Sequence, residues 1–341
     1  MPEKLGNGGH SYEKYDPNTG KYVADGQPNK YYDNPEEKNF ANSSLKEKYK
    51  DFLNGIEENE ELNALFGWKP KENKEYEKYS KPISEMTDPE LSNEIKEHEN
   101  WLEEYGINLK IKCFDQDLKL KCTNYREMHR LFDKYDFFKG INSDGSLRNP
   151  VKVDSWGMSR KHGYCSMFKP QTEGYGGYIY FCDKIRLNKN SFVSFEQTYN
   201  RQTRYIELNK RNNALDEKKV CYTFIHEFGH LLHAKFIQNE FKNEIQDFKK
   251  YDYYTFSEKY NKVLESSEKF AARARKETLK IFIDNGNEYS DFSLGNSEYS
   301  RKNNDEWFAE TFASLEGGKP SKVALAFKEW LDKEITKLRG E

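Results

Sequence analysis

The sequence predicts an α+β fold in which a small sheet packs on the helix that follows it. Three observations lead there. Strand-like runs collect before about residue 210, helical periodicity holds from about Leu215 to the end, and between them stands one long apolar helix from Val220 to about Gln238. The 341 residues suffice for one large domain with an appendage, or for two domains. Charged residues make up 33% of the chain and mean hydropathy is −1.07, which leans toward disorder. Aromatic residues at 15% point the other way, because disordered segments are poor in rings. A core of rings under a charged skin reconciles the two.

In chain order, residues 1–40 read as an extended Gly/Tyr/Asn-rich arm. Asp16-Pro17-Asn18-Thr19-Gly20 is a tight-turn signal before Lys21-Tyr22-Val23. With few aliphatic residues, the arm needs the rest of the chain or a protein partner for order. Residues 41–105 form a mostly helical N-terminal region, with helical spacing from near Ser44. Thr87 and Glu90 make a capping-box pattern with Pro89 in the first turn, and the helix runs through Leu91, Ile95, Trp101 and Leu102 to stop by Gly106. Ile107–Phe114 and Leu118–Cys122 read as short strands around Asp115-Gln116-Asp117, and Tyr125–Phe138 reads as a helix. Lys139–Gly177, rich in Gly, Ser, Asn and Pro, reads as irregular. Tyr178–Cys182 and Tyr205–Leu208 are two more strand candidates, and a helix with Val323, Phe327, Trp330 and Leu331 closes the chain.

Several function classes are disfavoured. The 55 basic and 58 acidic residues are well mixed, with no basic tract, so nucleic acid is not an expected partner. No run approaches ~18 apolar residues, so no membrane span is expected. The first residues lack the apolar run of a signal peptide, which makes the cytoplasm the default, with signal-less export left open. Five cysteines without CxxC spacing argue against a disulfide framework or a cysteine zinc knot. Cys113 and Cys122 are placed to face each other across a hairpin, although free buried thiols fit better. Gly174-Tyr175-Gly176-Gly177 lacks the Lys-Ser/Thr of a phosphate loop, and Met128-His129 reads as an ordinary surface or packing position.

Chemistry concentrates in His226-Glu227-Phe228-Gly229-His230. Residues four apart share a helix face, so the two imidazoles can converge on one zinc at about 2.0–2.1 Å, while Glu227 reaches a water beside it. Chance matches to H-E-x-x-H number about 0.02 per chain of this composition. A bland alternative, two surface histidines flanking a salt-bridging Glu, fits poorly because the flanking residues are apolar. A catalytic zinc needs a third protein ligand. His233 lies about 10 Å of helix rise from His226, too far to join both imidazoles on one ion, and reads as a plain or supporting helix residue. The better candidate is Glu306 in Asn303-Asn304-Asp305-Glu306-Trp307-Phe308-Ala309-Glu310. There Asn303 can cap a helix, and Ala309 and Ala313 leave room for a neighbour beside Glu306 and Glu310.

These residues resemble the catalytic domain of anthrax lethal factor and its relatives, gluzincins with HEFGH on one helix and a Tyr-x-Arg…Glu-Phe-Phe-Ala-Glu stretch on a later one. The resemblance is dense over about 20 residues. It implies a zincin-like metallopeptidase domain over residues 106–341 holding one zinc, with His226, His230 and Glu306 as ligands and Glu227 as general base. Tyr299, seven residues before Glu306, is implied as the oxyanion stabiliser. Glu310 is expected to orient a ligating histidine, and His233 to stand outside the ligand set. A departure from the family is the 76-residue gap from His230 to Glu306, widened by a charged segment over Ser257–Asn285. Tyr178, Ile179 and Tyr180 read equally as an edge strand on which a protein or peptide substrate can add and as an ordinary half-buried strand. Two rivals stand beside the endopeptidase reading. One is a silent zincin-like structural or partner-binding protein, as in a phage particle; the other is a cysteine hydrolase using Cys221, which points to a different helix face.

Overall fold

The computed structural model describes residues 13–16, 21–24, 79, 81–138, 151–157, 163–172, 176–208, 216–241, 244, 250–294 and 297–339. The helical spacing expected from Ser44 lies outside them. The turn signal after Asp16 is flanked by β1 (Glu13–Asp16) and β2 (Lys21–Ala24), which pair antiparallel with Asp16 opposite Lys21. Helix α1 (Asp88–Glu104) starts where the capping box predicts, the Thr87 N–H donating to Glu90 Oε2 at 2.7 Å. It stops at Gly106, whose φ of 85° is open to glycine at no steric cost.

The expected strand Leu118–Cys122 is instead the first turn of α2 (Leu118–Lys134). Five alternating residues are too few to separate the two periods, and the cap decides. Asp117 Oδ1 accepts the Leu120 N–H at 2.9 Å, satisfying a helix-start donor. No hairpin therefore joins Cys113 to Cys122; both thiols are free, and burial pushes them up to about 11 and about 12. Arg126 of α2 forks onto Glu94 of α1 at 2.7 and 2.9 Å. His98 and His129 meet through their Nδ1 atoms at 2.8 Å, with Trp101 stacked on His129, so His129 is a packing position.

One sheet combines β3 (Asn108–Lys110), β4 (Lys152–Trp156), β5 (Gly163–Thr172) and β6 (Gly176–Asn188) in the order β3-β4-β6-β5. The β3–β4–β6 part is parallel, and β5 runs antiparallel to β6 at the margin. Two of these strands fall in Lys139–Gly177, which the sequence marked as irregular. β4 pairs with residues 44 and 32 positions away, information no local window contains. The expected strand Tyr205–Leu208 belongs to α3 (Phe195–Leu208), where buried Thr198, Gln202 and Ile206 recur at the helical four-residue interval.

Helix α4 (Tyr222–Phe241) follows a 3-10 turn at Asp216–Cys221 and is buried on nearly every side. Phe228 meets Phe132 at 5.1 Å and Phe138 at 5.3 Å edge-on and stacks on Phe312. Burying one such ring contributes roughly 1.5–3 kcal/mol. The rest is helical apart from β7 (Tyr251–Asp252), which pairs with Gly176 and Gly177. It comprises α5 (Tyr253–Asp284), α6 (Tyr289–Leu294), α7 (Asn304–Glu316) and α8 (Lys322–Arg339). The charged segment noted over Ser257–Asn285 is thus one long helix. Glu316 at the end of α7 takes Arg130 (2.8 Å), Lys134 (2.7 Å) and the Tyr135 hydroxyl (2.8 Å), pinning α7 to α2. Among the described residues no helix is long and apolar enough to cross a membrane.

Candidate metal centre

Two helices build the centre. Along α4, His226 and His230 stand one turn apart with ring centroids 4.9 Å from each other. Asn303 caps α7 by accepting the Glu306 N–H at 2.8 Å, fixing the first turn that carries Glu306. The helices touch where Gly229 faces Ala309. A Cβ at position 229 would stand 2.9 Å from Ala309 Cα and 3.2 Å from its carbonyl oxygen. Glycine is what allows Glu306 to reach the imidazoles.

Glu306 Oε2 lies 3.3 Å from His226 Nε2 and 3.3 Å from His230 Nε2. Two ligands about 2.05 Å from one zinc and tetrahedrally spaced stand roughly 3.3 Å apart, so the separations match those of a shared ion. The three ligand atoms all lie within 4.8 Å of one another. Neither approach is aligned as a hydrogen bond, which leaves Oε2 buried without a donor. Such an oxygen between two imidazole nitrogens suits a cation. Burial would push the His226 ring down, but Glu310 and Glu306 outweigh it and hold it up at about 10. Burial would raise Glu306, yet the two histidines hold its carboxyl well below the usual range. The donor set is thus electrostatically primed for positive charge and fits zinc.

Around these three, the other expected residues take distinct places. Glu310 Oε1 lies 2.7 Å from His226 Nδ1, the nitrogen turned away from Glu306. Its other oxygen accepts from Ser297 Oγ at 2.8 Å, and Ser297 is held in turn by the Ser300 N–H at 3.0 Å. Tyr299 opens a 3-10 turn, and its hydroxyl donates to Glu306 Oε1 at 3.0 Å. Burial, then Glu306 and Tyr205, push that phenol above its ordinary value. Lys302 Nζ sits 3.7 Å over the Tyr299 ring. His233 is fully buried and not among the three; its Nε2 donates to Ser267 O at 3.2 Å, and its ring stacks against Phe270 and Phe308. Its Nδ1 is 3.6 Å from Asp305, the neighbour of Glu306, so it touches the ligand helix without reaching the centre.

Glu227 is buried beside His226, and β5 descends on it. A Cβ at Gly163 would fall 2.6 Å from Glu227 Oε1 and 2.8 Å from Thr223 Cγ2. Sequence reading missed Gly163 and Ser297. Only a lone Gly in an irregular stretch and a Ser-x-x-Ser spacing marked them. Tyr178, Ile179 and Tyr180 lie in β6, opposite Gln171, Pro170 and Lys169 of β5, while β4 pairs with β6 only over Lys184–Asn188; in the strand order β5 stands at the margin. Cys221 is buried, its thiol donates to Lys218 O at 3.3 Å, and burial pushes its pKa up, so it offers no ready thiolate. No family model matches the chain, and no curated protein or solved structure matches it significantly.

Proposed function

We propose that the protein is a zinc-dependent endopeptidase of the gluzincin type, its small sheet and HExxH helix forming a zincin-like domain. The carrying observation is the His226–His230–Glu306 cluster, in which Glu306 Oε2 stands 3.3 Å from each imidazole, a spacing that suits one tetrahedral zinc, with a buried Glu227 one position away. A zinc bound there supplies Lewis acidity, lowering the pKa of a water from about 15.7 toward 7 and polarising a carbonyl. Glu227, buried beside His226, would take a proton from the attacking water and hand it to the leaving amine. Tyr299, parked on Glu306 Oε1, donates to the carbonyl oxygen as negative charge develops there. Glu310, steadied by Ser297, fixes the orientation of His226.

β5 suits an extended substrate better than β6. It lies at the sheet margin, begins at Gly163 against Glu227, and carries Pro170, a residue tolerated in strands at edges. Zinc content by mass spectrometry tests the metal reading in wild type, His226→Ala and Glu306→Ala. About one zinc per wild-type chain, lost or weakened in both variants, is expected. Zinc retained by Glu306→Ala would overturn Glu306 as ligand. Cleavage of a peptide library, abolished in Glu227→Gln with zinc retained, tests turnover. A zinc-loaded wild type that cleaves nothing would leave the silent, partner-binding reading in its place.

A further inference from the structure

Helix α3 meets the start of α4 through one buried polar contact. Gln202 Nε2 donates to Thr223 Oγ1 at 2.8 Å, with both side chains buried. Thr223 stands four residues before Glu227, so the two share a face of α4. Both press on the same point of β5. A Cβ at Gly163 would lie 2.8 Å from Thr223 Cγ2, 2.7 Å from Glu227 Cγ and 2.6 Å from Glu227 Oε1. With its hydroxyl turned to Gln202, Thr223 turns its methyl to Gly163, beside the Glu227 carboxylate.

That orientation is a choice. Threonine in a helix divides between two rotamers, because its hydroxyl can also bond the carbonyl three or four residues back. The Gln202 bond selects one of them. It does so against stability, since Gln202 Oε1 is buried with no donor, and an unsatisfied buried acceptor costs about 1–3 kcal/mol. Turning the amide over would only strand Nε2 instead. A leucine would fill much the same space without that cost, and local rules are broken in this way where a site has a task. We propose that Gln202 is a positioning residue for the peptidase reaction, a role that rests on the reading of Glu227 as general base. Its bond to Thr223 locks the methyl against Gly163 and Glu227. Were the methyl to rotate away, a gap would open beside Gly163 into which the Glu227 side chain could swing, away from the attacking water.

Two measurements test this role. In the metal-free full chain, three-bond NMR couplings to the Thr223 methyl carbon read its rotamer. One rotamer is expected in the wild type, and averaging between two in Gln202→Leu. In the zinc-loaded enzyme, Gln202→Leu should lower kcat on a cleaved library peptide at least about fivefold, since a misplacement of ~1 Å can cost about 100-fold. KM and zinc content should stay at wild-type values. Valine at position 223 fills the hydroxyl and methyl places together and needs no lock. Gln202→Leu/Thr223→Val should therefore recover kcat to within about twofold of wild type, a rescue that a merely structural role would not give. Averaged couplings in the wild type, unchanged kcat in Gln202→Leu, or a double variant no better than the single one would each overturn this role alone. A zinc-loaded wild type that cleaves nothing would overturn the peptidase reading, and this role with it.

Discussion

Gly229→Ala tests how the centre is assembled. The added methyl would sit 2.9 Å from Ala309 Cα, whereas carbon–carbon contacts settle at about 3.5–4.0 Å. The helices must then separate by roughly 0.6–1 Å, or α4 must twist. Alanine in place of glycine inside a helix returns up to about 1 kcal/mol, while overpacking costs about 1–3 kcal/mol. Stability should therefore fall by no more than roughly 2 kcal/mol, and the protein should fold. Zinc affinity is a different matter, because a retreat of about 1 Å carries Glu306 out of the 3.3 Å triangle. A ligand lost to geometry should weaken binding at least tenfold, about 1.4 kcal/mol. Competition with a chromophoric chelator measures the affinity and thermal melting measures the fold. The clash is with backbone atoms, so adding Ala309→Gly should not restore binding. Wild-type affinity in Gly229→Ala, within about twofold, would refute the view that this contact sets the ligand distance.

Three further outcomes follow from the same geometry. Glu310→Gln should lower zinc affinity about 10–100-fold by releasing His226, and Ser297→Ala should do so more weakly, both read by the chelator assay. Gly163→Ala should displace the Glu227 carboxylate, lowering kcat in a peptide assay while zinc content stays unchanged. The Glu127–Arg130–Glu316 cluster should make stability acid-sensitive. Burial opposes ionisation, but the cations outweigh it and lower both carboxyls when folded. The unfolded chain thus binds more protons below about pH 4.5, and the stabilisation is complete above that value and lost as pH falls through the folded pKa values. Melting temperature should be flat from pH 7 to 5 and then drop. Glu316→Gln, leaving Lys134 without its carboxylate and Arg130 with Glu127 alone, should cost about 1–3 kcal/mol at pH 7 and flatten the acid limb.

Features encoded within a few residues could be read from the sequence. The α1 start rests on Thr87 and Glu90, its stop on Gly106, and the α7 start on Asn303, each a local hydrogen-bond or φ requirement. The pair His226 and His230 follows from helix periodicity alone, and the Ala309 face beside Glu306 and Glu310 foretold a close helix neighbour. Tertiary structure decided the rest. β4 exists because partners 44 and 32 residues away complete its ladders. Which strand lies at the sheet margin is a property of strand order, and that order puts β5 there. The support of Glu310 by Ser297 and the descent of Gly163 onto Glu227 join segments 13 and 64 residues apart. Local hydrogen bonding and periodicity fix what each segment can be. Only three-dimensional packing, through a glycine at position 229, fixes that His226, His230 and Glu306 share one point in space.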